Sequence, residues 1–172
     1  ADFLGAVRTP EVFVLDAKRV VRYYGRIDDQ YGVGYAKDDP TQNDLALAID
    51  ELLADKPVSE PMMQPVGCHI GRMRKPNANS TVTYSNQISR ILAQHCVECH
   101  RPNEIAPFSL TDYEEVAGWA DTIREVVRDG RMPPWFADPA HGKFSNDARL
   151  SPDEKQLIET WVTAGCPEGD RA

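Results

Sequence analysis

The chain has 172 residues, 41% of them apolar, which allows one ordinary domain or two small ones, each with a modest core. Acidic residues outnumber basic ones 27 to 19, for a formal charge of -8 at pH 7. No Lys/Arg block marks a nucleic-acid footprint, and no apolar run approaches the roughly 18 residues that would span a bilayer. An acidic surface steers basic partner patches, and it equally serves solubility.

Residues 1–56 read as strand, turn, strand, helix. Val12, Phe13, Val14 and Leu15 form an apolar run of strand length, and Asp16, Ala17 and Lys18 supply a tight turn. Val20, Val21, Tyr23 and Tyr24 are β-branched and aromatic, as a second strand requires. Leu45, Ile49, Leu52 and Leu53 recur at helical spacing and predict an amphipathic helix over 43–54, with Asn43 or Thr41 as its cap. Residues 57–79 hold four prolines and two glycines without periodicity and read as a linker.

Residues 80–172 read as helices joined by long loops. Ile88, Ile91 and Leu92 mark a first helix, and Tyr113, Val116, Ala117, Ala120, Ile123 and Val127 a second, ended by Gly130. Ser151, Pro152, Asp153 and Glu154 form a capping-box start for a third. Its buried stripe is Leu157, Ile158, Trp161 and Val162, and Gly165 stops it.

The first of these helices leads into Cys96-Val97-Glu98-Cys99-His100. A C-x-x-C-H pentapeptide is the attachment pattern of c-type haem. The two thiols lie one turn apart, so both can reach the vinyl groups on one porphyrin edge, and His100 follows as the proximal iron ligand. A zinc site would want further Cys or His at paired spacing. Cys68, His69, His141 and Cys166 form no second knuckle. A thioredoxin-like C-x-x-C would want a βαβ setting rather than a preceding helix.

For the sixth iron position the sequence offers Met132, inside Arg131-Met132-Pro133-Pro134-Trp135. Proline after methionine stiffens a loop that can hold a thioether over the iron, although methionine more often simply fills a core. His69, His95 and His141 are rival ligands. Met62, Met63 and Met73 read as packing or solvent residues of the linker.

The stretch from Tyr84 to Asp170 resembles a class I cytochrome c domain of the kind fused to redoxins and to copper type II ascorbate-dependent monooxygenase-like domains. The likeness rests on the residues around the haem motif from Ile91 to Pro102, on Ile105-Ala106-Pro107-Phe108-Ser109-Leu110, on Arg131-Met132-Pro133-Pro134-Trp135, and on the closing run from Trp161 to Asp170. It implies His100 and Met132 as axial ligands. Cys166 departs from it, since a small residue is expected there. Residues 6 to about 70 resemble the C-terminal half of a thioredoxin-like redoxin. This second likeness rests on Arg8-Thr9-Pro10-Glu11-Val12-Phe13-Val14-Leu15-Asp16 and on Tyr23-Tyr24-Gly25-Arg26-Ile27-Asp28-Asp29, and implies a cis Thr9-Pro10 bond. The redox-cysteine half of that fold is missing from this chain.

The expected fold is therefore α+β, with a partial thioredoxin-like ββα unit over 1–56, a linker over 57–79 and an all-α cytochrome c domain over 80–172. The expected function is electron transfer by one covalent haem c held at Cys96, Cys99, His100 and Met132, as a module of a larger redox protein or complex. The alternative is a haem or thiol redox enzyme: a peroxidase-like open distal site, or a thioredoxin-like oxidoreductase completed by a missing half. Haem attachment implies a periplasmic or otherwise extracytoplasmic setting, with an export segment lying upstream of Ala1. The expected partners are redox proteins or other subunits, including a chain or segment that completes the thioredoxin-like fold. The two remaining thiols, Cys68 and Cys166, can pair in such a compartment and staple the two segments together.

Overall fold

The computed structural model describes residues 1–72 and 74–170, so Met73 lies outside the described residues. The chain is α+β in the general sense, with short antiparallel strands in its first part and helices in its second. It divides into two compact units, Ala1–Ile70 and Gly71–Ala172.

In the first unit, strand β1 (Arg8–Thr9) is followed by the hairpin of β2 (Val12–Leu15) and β3 (Val21–Gly25). The turn is held by Asp16, whose Oδ1 accepts the backbone N–H groups of Lys18 and Val20, both at 2.9 Å. These bonds, the Val20 one foremost, hold the Asp16 carboxyl below its ordinary range. Across the hairpin Val14 faces Tyr23 and Phe13 faces Tyr24, whose rings stack at 6.0 Å. A small second hairpin follows, β4 (Tyr31–Gly32) with β5 (Tyr35–Ala36), and then helix α1 (Asp44–Leu53). The Thr9–Pro10 bond is cis.

Helix α1 lies where the periodicity predicts it, but neither expected cap caps it. Asn43 occupies the N-cap position without a side-chain bond, and the Thr41 hydroxyl donates to Asp29 instead. Asp29 also accepts the backbone N–H groups of Thr41 and Gln42 and pairs with Lys37. Asp44 forms a buried pair with Arg26 at 2.7 Å. The expected apolar stripe of α1 stays largely uncovered: Ile49 is 37% and Leu53 81% exposed. An open groove of about 840 Å³ runs between this face and the hairpin, lined by Val14, Val21, Ile49, Leu52, Pro57 and Pro61 among others.

The 57–79 segment packs against its neighbours in the chain on either side. Its first part belongs to the first unit. The Tyr24 N–H donates to the Pro61 carbonyl and the Met63 N–H to the Tyr24 carbonyl, both at 3.1 Å. Gly25 is required there, because a Cβ on it would lie 1.8 Å from the Met63 carbonyl oxygen. Strand β6 (Cys68–His69) then pairs with β1, Thr9 opposite Cys68. The rest of the segment belongs to the second unit: Arg74 pairs with Asp121 at 2.5 Å, and the Asn77 N–H donates to the Ala164 carbonyl at 2.8 Å.

The second unit opens with a π-helical turn at Tyr84–Ile88, continued by α2 (Ser89–His95). The single helix expected from Tyr113 to Val127 is instead two, α3 (Tyr113–Gly118) and α4 (Ala120–Arg128). They break at Trp119, where ψ is 3° and the ring stacks on Phe108 at 4.1 Å. Packing of this indole overrides a periodicity that runs unbroken through the sequence. Helix α5 (Pro152–Thr163) starts with the full capping box of Ser151 and Glu154, as its sequence predicts. Ile88, Leu92, Val116, Ile158, Trp161 and Val162 form a contiguous core, in which the Trp161 indole donates to the Pro167 carbonyl at 3.0 Å.

The expected Cys68–Cys166 bridge is not formed; both are free thiols. Cys166 is packed into the core of the second unit at 4% exposure, and burial pushes its thiol up to about 11. Cys68 is exposed on β6.

Candidate functional site

Helix α2 ends at His95, and a tight turn takes over. The Cys96 carbonyl accepts the N–H groups of Cys99, at 3.2 Å, and of His100, at 2.9 Å. The three residues of the motif therefore sit on one turn rather than on a continued helix. The turn is anchored behind, since the Cys96 and Val97 N–H groups both donate to the Leu92 carbonyl.

His100 is oriented by its own neighbourhood. Its Nδ1 lies 3.1 Å from the Phe108 carbonyl, and its ring packs on the Phe108 ring at 4.6 Å. A carbonyl can only accept, so Nδ1 carries a proton, and in the neutral imidazole the lone pair is then on Nε2. Histidines that ligate metals are commonly held in this way by the other ring nitrogen. Sequence reading placed His100 in the site but missed the Phe108 carbonyl, because a backbone acceptor leaves no trace in residue identity.

Met132 arrives from the other end of the unit. Gly130, at a φ of 70°, ends α4, and the N–H groups of Arg131 and Met132 both turn back to the Val126 carbonyl, at 2.8 and 3.1 Å. Arg131 is tied down by Glu125 and by Asp129. Met132 is 40% exposed and is followed by a cis bond to Pro133.

These pieces meet at one cavity of about 400 Å³. Cys96, Cys99, His100 and Met132 all border it, although Met132 lies 32 positions beyond His100. The remaining wall is chiefly apolar: Ile105, Ala106, Pro107, Phe108 and Leu110 from the loop after the motif, Ile123, Val126 and Val127 from α4, and the two prolines after Met132. The α4 wall follows helical spacing, a signal the sequence carries, but one it assigns to core rather than to a cavity.

The rival ligands are not gathered there as free donors. His95 borders the cavity, but its Nδ1 is 3.2 Å from the Ala148 carbonyl and its Nε2 3.1 Å from Glu154. His141 has a side chain 83% exposed beside Asp138 and does not border the cavity. His69 belongs to β6 of the first unit, and Met62 accepts a hydrogen bond from the Tyr24 hydroxyl. Met63 lies on the segment beside β3.

The chemistry of the site follows from its donors. Burial, with the neighbouring Cys99 thiol adding to it, pushes the Cys96 thiol up to about 11. A thiol so raised stays protonated near neutral pH and is a poor nucleophile, unlike the low-pKa thiols of disulfide exchange. Among the described residues no group of three or more His, Cys, Asp or Glu side chains is gathered for a bare metal ion. One imidazole nitrogen and one thioether sulfur at an apolar cavity form a donor set suited to an iron whose equatorial ligands come from a porphyrin. Two thiols on the adjoining turn suit its covalent attachment. The residues present fit a haem. Comparison with protein-family models and with curated proteins finds no match for this chain.

Proposed function

We propose that the second unit binds one haem c, attached through Cys96 and Cys99 with His100 and Met132 as axial ligands, and that the protein transfers single electrons outside the cytoplasm. The observation that carries this reading is the convergence of these four side chains on one apolar cavity. When bound, the haem supplies a reversible Fe(III)/Fe(II) couple whose potential is raised by methionine ligation.

The residues of the chain do the rest. Cys96 and Cys99 tether the cofactor on a turn fixed to α2. The Phe108 carbonyl fixes the imidazole of His100 and keeps its proton on Nδ1. The paired bonds to the Val126 carbonyl hold the Met132 loop in place. With His100 and Met132 both holding the iron, no position on it would remain open for substrate.

On this reading the second unit is a cytochrome c domain of the class I kind, and the first is the C-terminal half of a thioredoxin-like redoxin fold. The open groove of the first unit, where Ile49 and Leu52 stand beside the charged Asp16, Arg22, Asp55 and Lys56, supports a partner chain or segment that completes that fold. The test is optical. The protein produced in a haem-c-attaching periplasm should give an alkaline pyridine spectrum of thioether-bound haem and a six-coordinate low-spin visible spectrum. High-spin iron would overturn electron transfer in favour of an open enzymatic site, and a colourless protein would overturn the haem reading altogether.

A further inference from the structure

His95 is the last residue of α2, and its side chain is 7% exposed. Each of its ring nitrogens meets an acceptor. Nδ1 lies 3.2 Å from the Ala148 carbonyl, and Nε2 lies 3.1 Å from Glu154 Oε1. The other oxygen of Glu154 accepts the Ser151 N–H and the Ser151 hydroxyl, both at 2.7 Å. Burial works against ionisation of this carboxyl, but the Ser151 bonds and His95 outweigh it and hold the group below its ordinary range. A carbonyl and a carboxylate can only accept. A neutral imidazole has one N–H, so it serves one of them and turns a lone pair on the other. Only the imidazolium donates to both.

His95 also borders the cofactor cavity. Besides it, the titratable side chains on that wall are His100 and the thiols of Cys96 and Cys99, all assigned to the haem, and most of the remaining wall is apolar. Among the groups around the imidazole, α5 contributes Glu154. The loop before α5 contributes the Ala148 carbonyl, flanked by Asp147 and Arg149, which pair with each other at 2.9 Å. A charge gained or lost on His95 is therefore felt at the cavity through a medium that screens it poorly. The Glu154 side chain is 24% exposed and links the buried ring to solvent. The capping box of α5 thus has a second task, since it fixes this carboxylate against the imidazole.

We infer that His95 couples proton uptake to reduction of the haem, with Glu154 as its link to solvent. This rests on the haem reading above. One electron arrives from a redox partner protein and lowers the charge of the site by one. A proton from solvent then forms the second N–H of the imidazole and restores that charge, and oxidation releases the same proton. Linkage is reciprocal, so the ring holds its proton more tightly beside Fe(II) than beside Fe(III), and the potential falls as pH rises.

The test uses the haem-loaded protein, after the alkaline pyridine spectrum has confirmed covalent haem. Failure of that first assay would strike the proposed function itself. Spectroelectrochemistry then follows the midpoint from about pH 5 to 9, which spans the range where histidine ordinarily changes charge. Across it the reduction equilibrium of the wild type should weaken by about tenfold or more, a fall of about 59 mV for one electron. His95→Gln should lose most of this fall. Glu154→Gln leaves a residue that still serves a capping box. It should keep the fall but move it to lower pH, because the imidazolium loses its anionic partner. A flat wild-type profile would overturn the inference. So would a His95→Gln profile with the wild-type fall, which would assign the coupling to the haem propionates. A second measurement needs no variant. Followed by proton NMR, the His95 ring of the wild type should titrate at a higher pH in the reduced protein than in the oxidised one. Coincident curves, or a ring that does not titrate in either state, would overturn the assignment.

Discussion

Replacing Met132 by alanine tests the distal ligand with little risk to the fold. Truncating a buried methionine typically costs about 2–5 kcal/mol. Met132 is 40% exposed and lies in a loop, so the cost here falls to about 1–2 kcal/mol. That is small beside the roughly 5–15 kcal/mol of an ordinary domain. The anchoring of the loop survives, because the bonds from residues 131 and 132 to the Val126 carbonyl are made by the backbone. A spectral change in the folded variant therefore reports the lost sulfur and not a lost structure. We expect high-spin or water-ligated iron in the visible spectrum. Loss of the thioether also weakens the preference for the reduced state. Each tenfold loss lowers a one-electron midpoint potential by about 59 mV, and spectroelectrochemistry should show at least one such step. Circular dichroism establishes that the variant is folded. A folded variant with the wild-type spectrum and potential would refute the assignment and return the ligand question to other residues, of which His95 borders the cavity.

Acid–acetone treatment should leave the pigment on the protein, whereas haem in the organic phase would exclude thioether attachment at Cys96 and Cys99. Cys166 supplies a pH test: its thiol is moved by burial from an ordinary 9.0 to about 11, so its contribution to stability is complete below about pH 9 and is lost as pH climbs through about 11. That displacement corresponds to roughly 2–3 kcal/mol, and denaturant midpoints of Cys166→Ala should lose this alkaline fall while the wild type keeps it. Asp29 works at the other end of the scale: the Lys37 ammonium, the Thr41 hydroxyl and two backbone N–H groups hold its carboxyl well below its ordinary 3.8. Its contribution is present above about pH 4 and is lost as pH falls further, so Asp29→Asn should flatten the acid limb of the first unit's melting profile, and an unchanged limb would count against the network.

The parts of this molecule that were legible in the sequence are those written in local side-chain chemistry. Ser151 and Glu154 announce the start of α5 because the capping box is made by their own side chains. Val12 to Leu15 read as a strand because β-branched and aromatic residues suit a pleated surface, and the strand is there. The Cys96–His100 turn and Met132 were likewise visible as motif and loop, and they border one cavity. What was hidden depends on distant neighbours. Gly118 is only a weak sign of the break between α3 and α4 inside an otherwise helical pattern, and the stacking of Trp119 on Phe108 leaves no sign at all. The prolines of 57–79 mark a linker, but they do not say that the backbone groups around them pair with Tyr24, Thr9 and Ala164. A thiol at position 166 looks available for a bridge until its burial is known.

The two units differ in what they can bury by themselves, and this bears on how the protein works. The second gathers a contiguous core around Trp161, which suits a unit that must hold its cavity walls still. On the proposed reading, electron transfer at a fixed site would gain from such rigidity, because little would need to reorganise between oxidation states. In the first unit the buried apolar residues are Ala6, Tyr23 and Ala48, while Val20, Val21, Ile49 and Leu53 stay exposed. Much of its order comes instead from polar clamps, at Asp29 and at the Arg26–Asp44 pair. Such clamps fix the path of the backbone but leave the apolar face of α1 uncovered. A surface of that kind is what a completing chain or segment would need to find already shaped: ordered backbone and an open groove of mixed apolar and charged lining. On the proposed reading, the first unit recruits the rest of a redox protein, and the second supplies the electron.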